Sequence, residues 1–382
     1  MPLNVTENEL AEEGKAAAVL SLRLKGDFYP LMVKAVRHET RDAAVLVFDV
    51  PSELREIFTF IQGQYLTIRT ALDSESIRRS YSICSAVQDG VLRIVVKRAS
   101  GGVFSNWILD HVNAGDILEV MPPAGNFYVP LKAEHKKHYI AFAVGSGITP
   151  IFSIVKTTLL AEPNSSFTLF YGNRASGSVI LREELADLKD RFLSRLVVVH
   201  VMSREHQDVD LLNGRIDGEK AQELLRQFCP LEHVDVVFLC GPHDLVQTIT
   251  AVLRDSGFPS DRIKIEHFAP KTDAQRRLIS KCDVAKPHSS HVTVTLDGGQ
   301  QPFTMSQGGE TLLDGAIRAG IDVRYSCKSG VCATCRAKLI NGQVDMDANY
   351  ALEDYEIARG FILTCQSYPV SSEIAIDFDQ DN

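Results

Sequence analysis

The chain has 382 residues, more than one hydrophobic core usually organises, so two or three domains are expected. Hydrophobic residues make up 45% and charged residues 23%, as in globular proteins, and no apolar run reaches the roughly 20 residues of a membrane span. The net charge of -9 argues against a nucleic-acid partner, and the acidic start MPLNVTENELAEEGK lacks the basic opening of a secretory signal, so a cytoplasmic chain is expected.

Residues 1–28 show weak helical patterning and no recognisable chemistry, and read as an N-terminal extension. Over residues 29–134 the short alternating runs LMVKAVRHE, AAVLVFDV, QYLTIRTA and VLRIVVKRA, separated by turn residues, predict an antiparallel β-barrel. Arg79-Ser80-Tyr81-Ser82 is expected to open a strand there, and GGVFSNW, with Gly101, Gly102, Val103 and Ser105, to open a helix. Either motif alone reads better as an ordinary strand or helix-capping turn. As an ordered pair they supply an aromatic ring, hydroxyl and amide donors, an arginine and an open helix start, which is what an isoalloxazine and its pyrophosphate need. Val96 and Lys97, late in VLRIVVKRA, complete the candidate flavin contacts.

Over residues 135–269 the texture changes. Apolar strands HYIAFAV, SFTLFYG, RLVVVHVMS and VDVVFLCG alternate with helical segments such as TPIFSIVKTTLLAE and GEKAQELLRQF, predicting a parallel α/β sheet. Gly145, Gly147, Ile148, Thr149 and Pro150 form a strand-to-helix turn suited to a dinucleotide pyrophosphate, though without the third glycine of the full fingerprint, so a plain turn stays open as an alternative. Cys240, Gly241 and Pro242 end a strand where open sheets bind ligands, whereas a free cysteine is more often a small buried hydrophobe. Arg174, Ser203 and Arg204 follow strands, where arginines can bracket a ribose 2'-phosphate or simply be solvated; NADPH is expected, with NADH open.

Residues 270–288 are polar and basic without strand pattern and are expected to form a linker, and residues 289–382 a small β-grasp domain. Of eight cysteines, Cys84, Cys229, Cys240 and Cys282 are scattered, whereas Cys327, Cys332, Cys335 and Cys365 gather near the C-terminus. Their C-x4-C-x2-C spacing with a distant fourth cysteine matches the plant-type 2Fe-2S arrangement; zinc knuckles favour two short pairs and often histidine.

These motifs together resemble the ferredoxin-NADP reductase family with a fused plant-type ferredoxin. The stretches LLNGRIDGEK, SGVCATCRAKLINGQVDMDANYALED and ILTCQSYPVSSEIAIDFD are similar, more narrowly, to the phenylacetyl-CoA epoxidase reductase family. The resemblance implies an enzyme carrying electrons from NAD(P)H through FAD and a 2Fe-2S cluster to the oxygenase component of a multicomponent monooxygenase. It implies that Arg79, Tyr81 and Ser82 hold the flavin, that Gly102, Val103 and Ser105 hold its pyrophosphate, and that Thr149 and Cys240 line the nicotinamide site, with Ser82, Thr149 and Cys240 nearest the reacting atoms. The same plan serves Rieske, steroid and alkane hydroxylases, and a redox-sensing carrier without turnover is the reading from another class.

Overall fold

The computed structural model describes residues 28–72, 75–268 and 289–380. The N-terminal extension up to residue 27, the expected linker and Cys282 lie outside the described residues. No described helix is long and apolar enough to cross a membrane. The chain divides into two compact units: residues up to Lys136 with Thr149–Ser165 and Gly177–Leu193, and Lys137–Ile148 with Ser166–Ser176 and Ser194 onward.

The first unit is built on six antiparallel strands, β1 (Tyr29–Thr40), β2 (Ala43–Asp49), β3 (Tyr65–Leu72), β4 (Glu75–Ser82), β5 (Leu92–Lys97) and, after helix α1 (Val103–His111), β6 (Ile117–Val120). Their order is β4-β3-β6-β1-β2-β5. An antiparallel bridge between Ile83 and Ile94 joins the two ends, so the sheet closes as the expected barrel. Alternating inward residues, Leu31 and Val33, Leu46 and Phe48, Leu66 and Ile68, Ile94 and Val96, fill the interior. The Arg-Ser-Tyr-Ser run ends β4 rather than opening it. Glu75 to Arg78 already pair with Leu72 to Arg69, so the hairpin begins four residues before the motif. Helix Arg182–Arg191, which no sequence pattern delimits, belongs to this unit; its Glu184 receives both guanidinium nitrogens of Arg93 at 2.9 and 2.5 Å and a further bond from Arg37.

The second unit carries a parallel sheet of β7 (His138–Val144), β8 (Ser166–Asn173), β9 (Leu196–Met202), β10 (Val236–Gly241) and β11 (Ile263–His267) in the order β11-β10-β7-β8-β9. The strand order reverses between β7 and β10, which creates a crevice at their C-terminal ends. Helices Gly218–Phe228 and His243–Asp255 cover one face, burying Leu224, Leu225, Ile249 and Leu253 against Phe142, Phe170, Val201 and Leu239.

The same unit contains the C-terminal module. Its strands are β12 (Ser289–Leu296), β13 (Gly299–Ser306), β14 (Arg336–Asn341), β15 (Val344–Met346), β16 (Phe361–Leu363), β17 (Ser367–Pro369) and β18 (Glu373–Asp377). Five of them form a mixed sheet in the order β13-β12-β18-β14-β16, and β15 and β17 form a separate ribbon. The hairpin β12–β13 and the parallel pair β12–β18 give the β-grasp order. Its longer helix covers Leu312–Arg318, because the Thr311 hydroxyl caps its start by accepting from the Asp314 amide, and Gly320, at φ +80°, turns the chain beyond its end.

Candidate functional site

In the barrel unit, strand alternation puts Arg79 and Tyr81 on one face and Ser80 and Ser82 on the other. The half-buried Tyr81 ring stacks on Phe104 with centroids 6.1 Å apart, and Phe104 meets Trp107 at 6.1 Å, so the tyrosine lies against the first turn of α1. Burial pushes the Tyr81 hydroxyl well above its ordinary pKa, keeping it a neutral donor. The chain reaches this helix through Gly101, at φ +70°, and Gly102, whose amide donates to the Ala99 carbonyl at 3.0 Å. A Cβ on Gly102 would lie 2.8 Å from that of Ala99. The Ser105 hydroxyl accepts the Ala99 amide at 3.1 Å, and no side chain caps the helix start. Its first amides therefore face outward as an anion cradle beside an aromatic shelf, with the Arg79 side chain exposed. These features fit a flavin dinucleotide. Val96 points into the barrel core and offers such a ligand only main chain, whereas Lys97 is half-buried.

In the parallel-sheet unit, β7 ends in Gly145-Ser146-Gly147 and runs directly into helix Ile148–Ala161, on which Thr149 is buried. Gly147 is required by close approach: a Cβ there would lie 2.2 Å from the Cys240 carbonyl oxygen. The turn after β7 and the end of β10 thus meet at the reversal of strand order. The Cys240 side chain is fully buried, its Sγ 4.0 Å from Glu266. Burial, reinforced by the Glu266 charge, holds the thiol well above its ordinary pKa, so Cys240 contributes a neutral, compact wall. Along the same edge the Arg204 amide donates to the Arg174 carbonyl at 2.8 Å and the Ser203 amide to the Asn173 carbonyl at 2.9 Å. Both arginine side chains are exposed and their backbones adjacent. Glu205 accepts from the Ser176 amide at 2.7 Å and hydroxyl at 2.8 Å, joining the loops that carry the two arginines. Glu205 and Glu266 escape a reading of the sequence, since isolated acids next to strand ends carry no spacing signal.

In the C-terminal module, Cys332, Cys335 and Cys365 are buried and Cys327 half-buried. The Cys327 thiol shares hydrogen bonds with Cys332 and Cys365, and Cys335 with Cys365. The four sulfurs thus form a linked chain. Four cysteine sulfurs brought together in this way fit a 2Fe-2S core, which takes four thiolate ligands. Main-chain amides already face the sulfurs: Ser329 N lies 3.4 Å from Cys327 Sγ, and Cys327 N 3.5 Å from Cys332 Sγ. The loop bends through left-handed residues at Lys328, Gly330 and Ala333, with φ +52°, +76° and +51°. Gln366, which no motif marks, donates to Cys365 Sγ at 3.6 Å.

The family comparisons place an oxidoreductase FAD-binding domain at residues 30–128, an oxidoreductase NAD-binding domain at 142–251 and a 2Fe-2S iron-sulfur cluster binding domain at 294–370. The chain is 42% identical to one of the subunits of the 1,2-phenylacetyl-CoA epoxidase of Escherichia coli K12, over 92% of its own length and 98% of the relative's. It is 35% identical to the ferredoxin reductase component of the 3-ketosteroid-9-alpha-monooxygenase of Rhodococcus rhodochrous, over 91% and 96%. Among solved structures, phthalate dioxygenase reductase matches with a TM-score of 0.58 at 25% identity, covering 93% of this chain and 99% of that one. An anion cradle beside an aromatic shelf, a crevice at the strand-order reversal and a four-sulfur loop lie, in the same order, under these three domains, and the chain belongs to the family of NAD(P)H-dependent flavin and iron-sulfur reductases that serve multicomponent oxygenases.

Proposed function

We propose that this chain is the reductase that supplies a phenylacetyl-CoA epoxidase from NADPH, acting in the cytoplasm as three modules over residues 29–134, 135–269 and 289–382. The observation that carries the pathway is the 42% identity to the epoxidase subunit over nearly the whole of both chains. FAD held in the barrel unit would supply the chemistry that links a two-electron nicotinamide donor to a one-electron 2Fe-2S acceptor.

The protein's share is binding and orientation. The open start of α1, with Gly102, Val103 and Ser105, would hold the pyrophosphate, Tyr81 would lie against the ring system, and Ser80 and Ser82 would offer hydroxyls from the opposite face of the strand. Gly145 to Pro150 would receive the nucleotide pyrophosphate. Thr149, Cys240, Gly241 and Pro242 would shape the nicotinamide pocket, where the neutral Cys240 thiol excludes water without adding charge. Cys327, Cys332, Cys335 and Cys365 would ligate the two irons.

Arg174, Ser203 and Arg204 support NADPH, because their strand-end loops stand side by side and Glu205 commits its carboxylate to Ser176 rather than opposing a phosphate. Arg204→Ala is therefore expected to raise KM for NADPH by about 10- to 100-fold, the worth of a charge-assisted pair, while KM for NADH stays within about twofold. Equal effects on both nucleotides would remove Arg204 from phosphate recognition. The pathway is tested by mixing the purified reductase with phenylacetyl-CoA epoxidase oxygenase subunits and with a steroid-hydroxylase oxygenase, and measuring NADPH-dependent product. Turnover only with the second would overturn the epoxidase reading.

A further inference from the structure

The cluster-bearing module meets the nucleotide module at an aromatic contact that neither nucleotide binding nor cluster ligation uses. His243 is the first residue of helix His243–Asp255, immediately after the turn Gly241-Pro242. His267 ends β11 and pairs with Gly241 in the sheet register. Both imidazoles therefore stand at the nicotinamide edge, with ring centroids 5.3 Å apart. Tyr350, from the ferredoxin module, lies 5.4 Å from His243 at an interplanar angle of 77° and 5.1 Å from His267 at 60°. Three mutual ring contacts, one edge-on and two tilted, make a closed ring cluster.

Two further observations show that the cluster is a packing seat rather than a hydrogen-bonded pair of histidines. The Nδ1 atoms of His243 and His267 are buried and, among the described residues, have no hydrogen-bond partner. Burial, with His243 alongside, lowers the pKa of His267 to about 4, so its ring is neutral against the tyrosine at ordinary pH.

Tyr350 is held rigidly toward the cluster loop on its other side. Its amide donates to the Gly330 carbonyl at 3.0 Å, within the loop between Cys327 and Cys332. Gly330 itself fits so closely that an added Cβ would lie 3.0 Å from the Ala348 carbonyl oxygen. Asn349 folds the following turn by accepting the Leu352 amide at 2.8 Å and donating to the Leu352 carbonyl at 3.0 Å. Asp347 N donates to the Gln366 carbonyl at 2.9 Å, next to the fourth cysteine. The segment that carries Tyr350 is thus hydrogen-bonded both to the loop between Cys327 and Cys332 and to the residue after Cys365.

We infer that Tyr350 is the docking side chain that seats the ferredoxin module on the nicotinamide edge, through His243 and His267, and that this seat positions the cluster loop to receive electrons. The inference is independent of which oxygenase is served.

The test uses the full chain loaded with FAD and cluster. Hydrogen exchange is read in peptides covering residues 242–246 and 347–351, alongside stopped-flow reduction by NADPH of flavin and of cluster separately. Tyr350→Ala is expected to raise exchange at 242–246, in the module that it does not alter, and to slow cluster reduction, each by about tenfold, the upper worth of an aromatic pair contact. Flavin reduction should stay within about twofold, and Tyr350→Phe, which keeps the ring, should restore exchange and cluster reduction alike. His267→Ala is expected to raise exchange at 347–351 from the other side, and this variant decides the matter if Tyr350→Ala does not fold. Unchanged exchange across the modules, equal loss of flavin and cluster reduction, or failure of the Phe variant to restore either readout would overturn the seat.

Discussion

Cys332→Ser is expected to abolish electron delivery to one-electron acceptors while leaving reduction of the flavin by NADPH intact. The thiol is buried and already accepts from the Cys327 amide at 3.5 Å, so the serine oxygen would sit in a pocket shaped for a larger, softer donor. Loss of even an outer partner of a metal ligand commonly lowers affinity about 10- to 100-fold, and loss of a ligand should exceed that. Purified variant protein is expected to lose the visible absorbance of the cluster and to reduce cytochrome c at background rate, yet to reduce ferricyanide directly from the flavin at close to the wild-type rate. Full cytochrome c activity in the variant would take the cluster out of the electron path. The barrel and the parallel sheet do not depend on this loop for their cores, which is why the two activities should separate.

Gly147→Ala is expected to damage the opposite end of the path. The new methyl would lie 2.2 Å from the Cys240 carbonyl oxygen, and the atom it meets is main chain in the middle of a sheet, which cannot rotate away. Overpacking of this kind costs about 1–3 kcal/mol. The functional loss should be larger than the loss of stability, because displacement of the nicotinamide edge by about 1 Å costs about 100-fold in rate. Stopped-flow reduction of flavin by NADPH is expected to fall by that order, while cluster absorbance remains. Gly177→Ala is the matched control: a Cβ there meets nothing within 4 Å, and its effect on both readouts should be slight. Wild-type hydride transfer in Gly147→Ala would mean that the β7 and β10 ends do not form the nicotinamide site.

Much of the architecture is legible in the residues because its signals are local. Period-two alternation at the start of β1, where Tyr29, Leu31 and Val33 are buried and Pro30, Met32 and Lys34 exposed, needs only neighbouring positions to betray a half-buried strand, and the cysteine spacing is itself local. The helix GEKAQELLRQF is readable to its ends because Asp217 caps it, accepting the Lys220 amide at 2.9 Å. The start of β4 is not readable in the same way. Glu75-Ser76-Ile77-Arg78 carries little strand character and is extended because Leu72 to Arg69 lie beside it.

The functional pieces divide along the same line. Arg79, Tyr81, Gly102 and Ser105 stand out in the sequence as residue types that a flavin would need, but the stacking of Tyr81 on Phe104 depends on two elements more than twenty positions apart. Gly147 reads as an ordinary turn glycine until β10 is placed next to β7, when the Cys240 carbonyl makes it obligatory. Cys240 reads either as a residue of a ligand edge or as a small buried hydrophobe, and only the surrounding sheet shows it fully buried beside Glu266, which raises its pKa further.

The sequence by itself determined that the protein has an antiparallel barrel, a parallel α/β sheet and a cysteine-bearing β-grasp module, and hence which cofactors it takes, because periodicity and short motifs are properties of adjacent residues. The tertiary structure alone decided the strand-order reversal that creates the nucleotide crevice, the sharing of Glu205 between two arginine-bearing loops, and the meeting of Tyr350 with His243 and His267. Those depend on side chains brought together across long stretches of chain, and no local pattern records which distant strand end will become a neighbour.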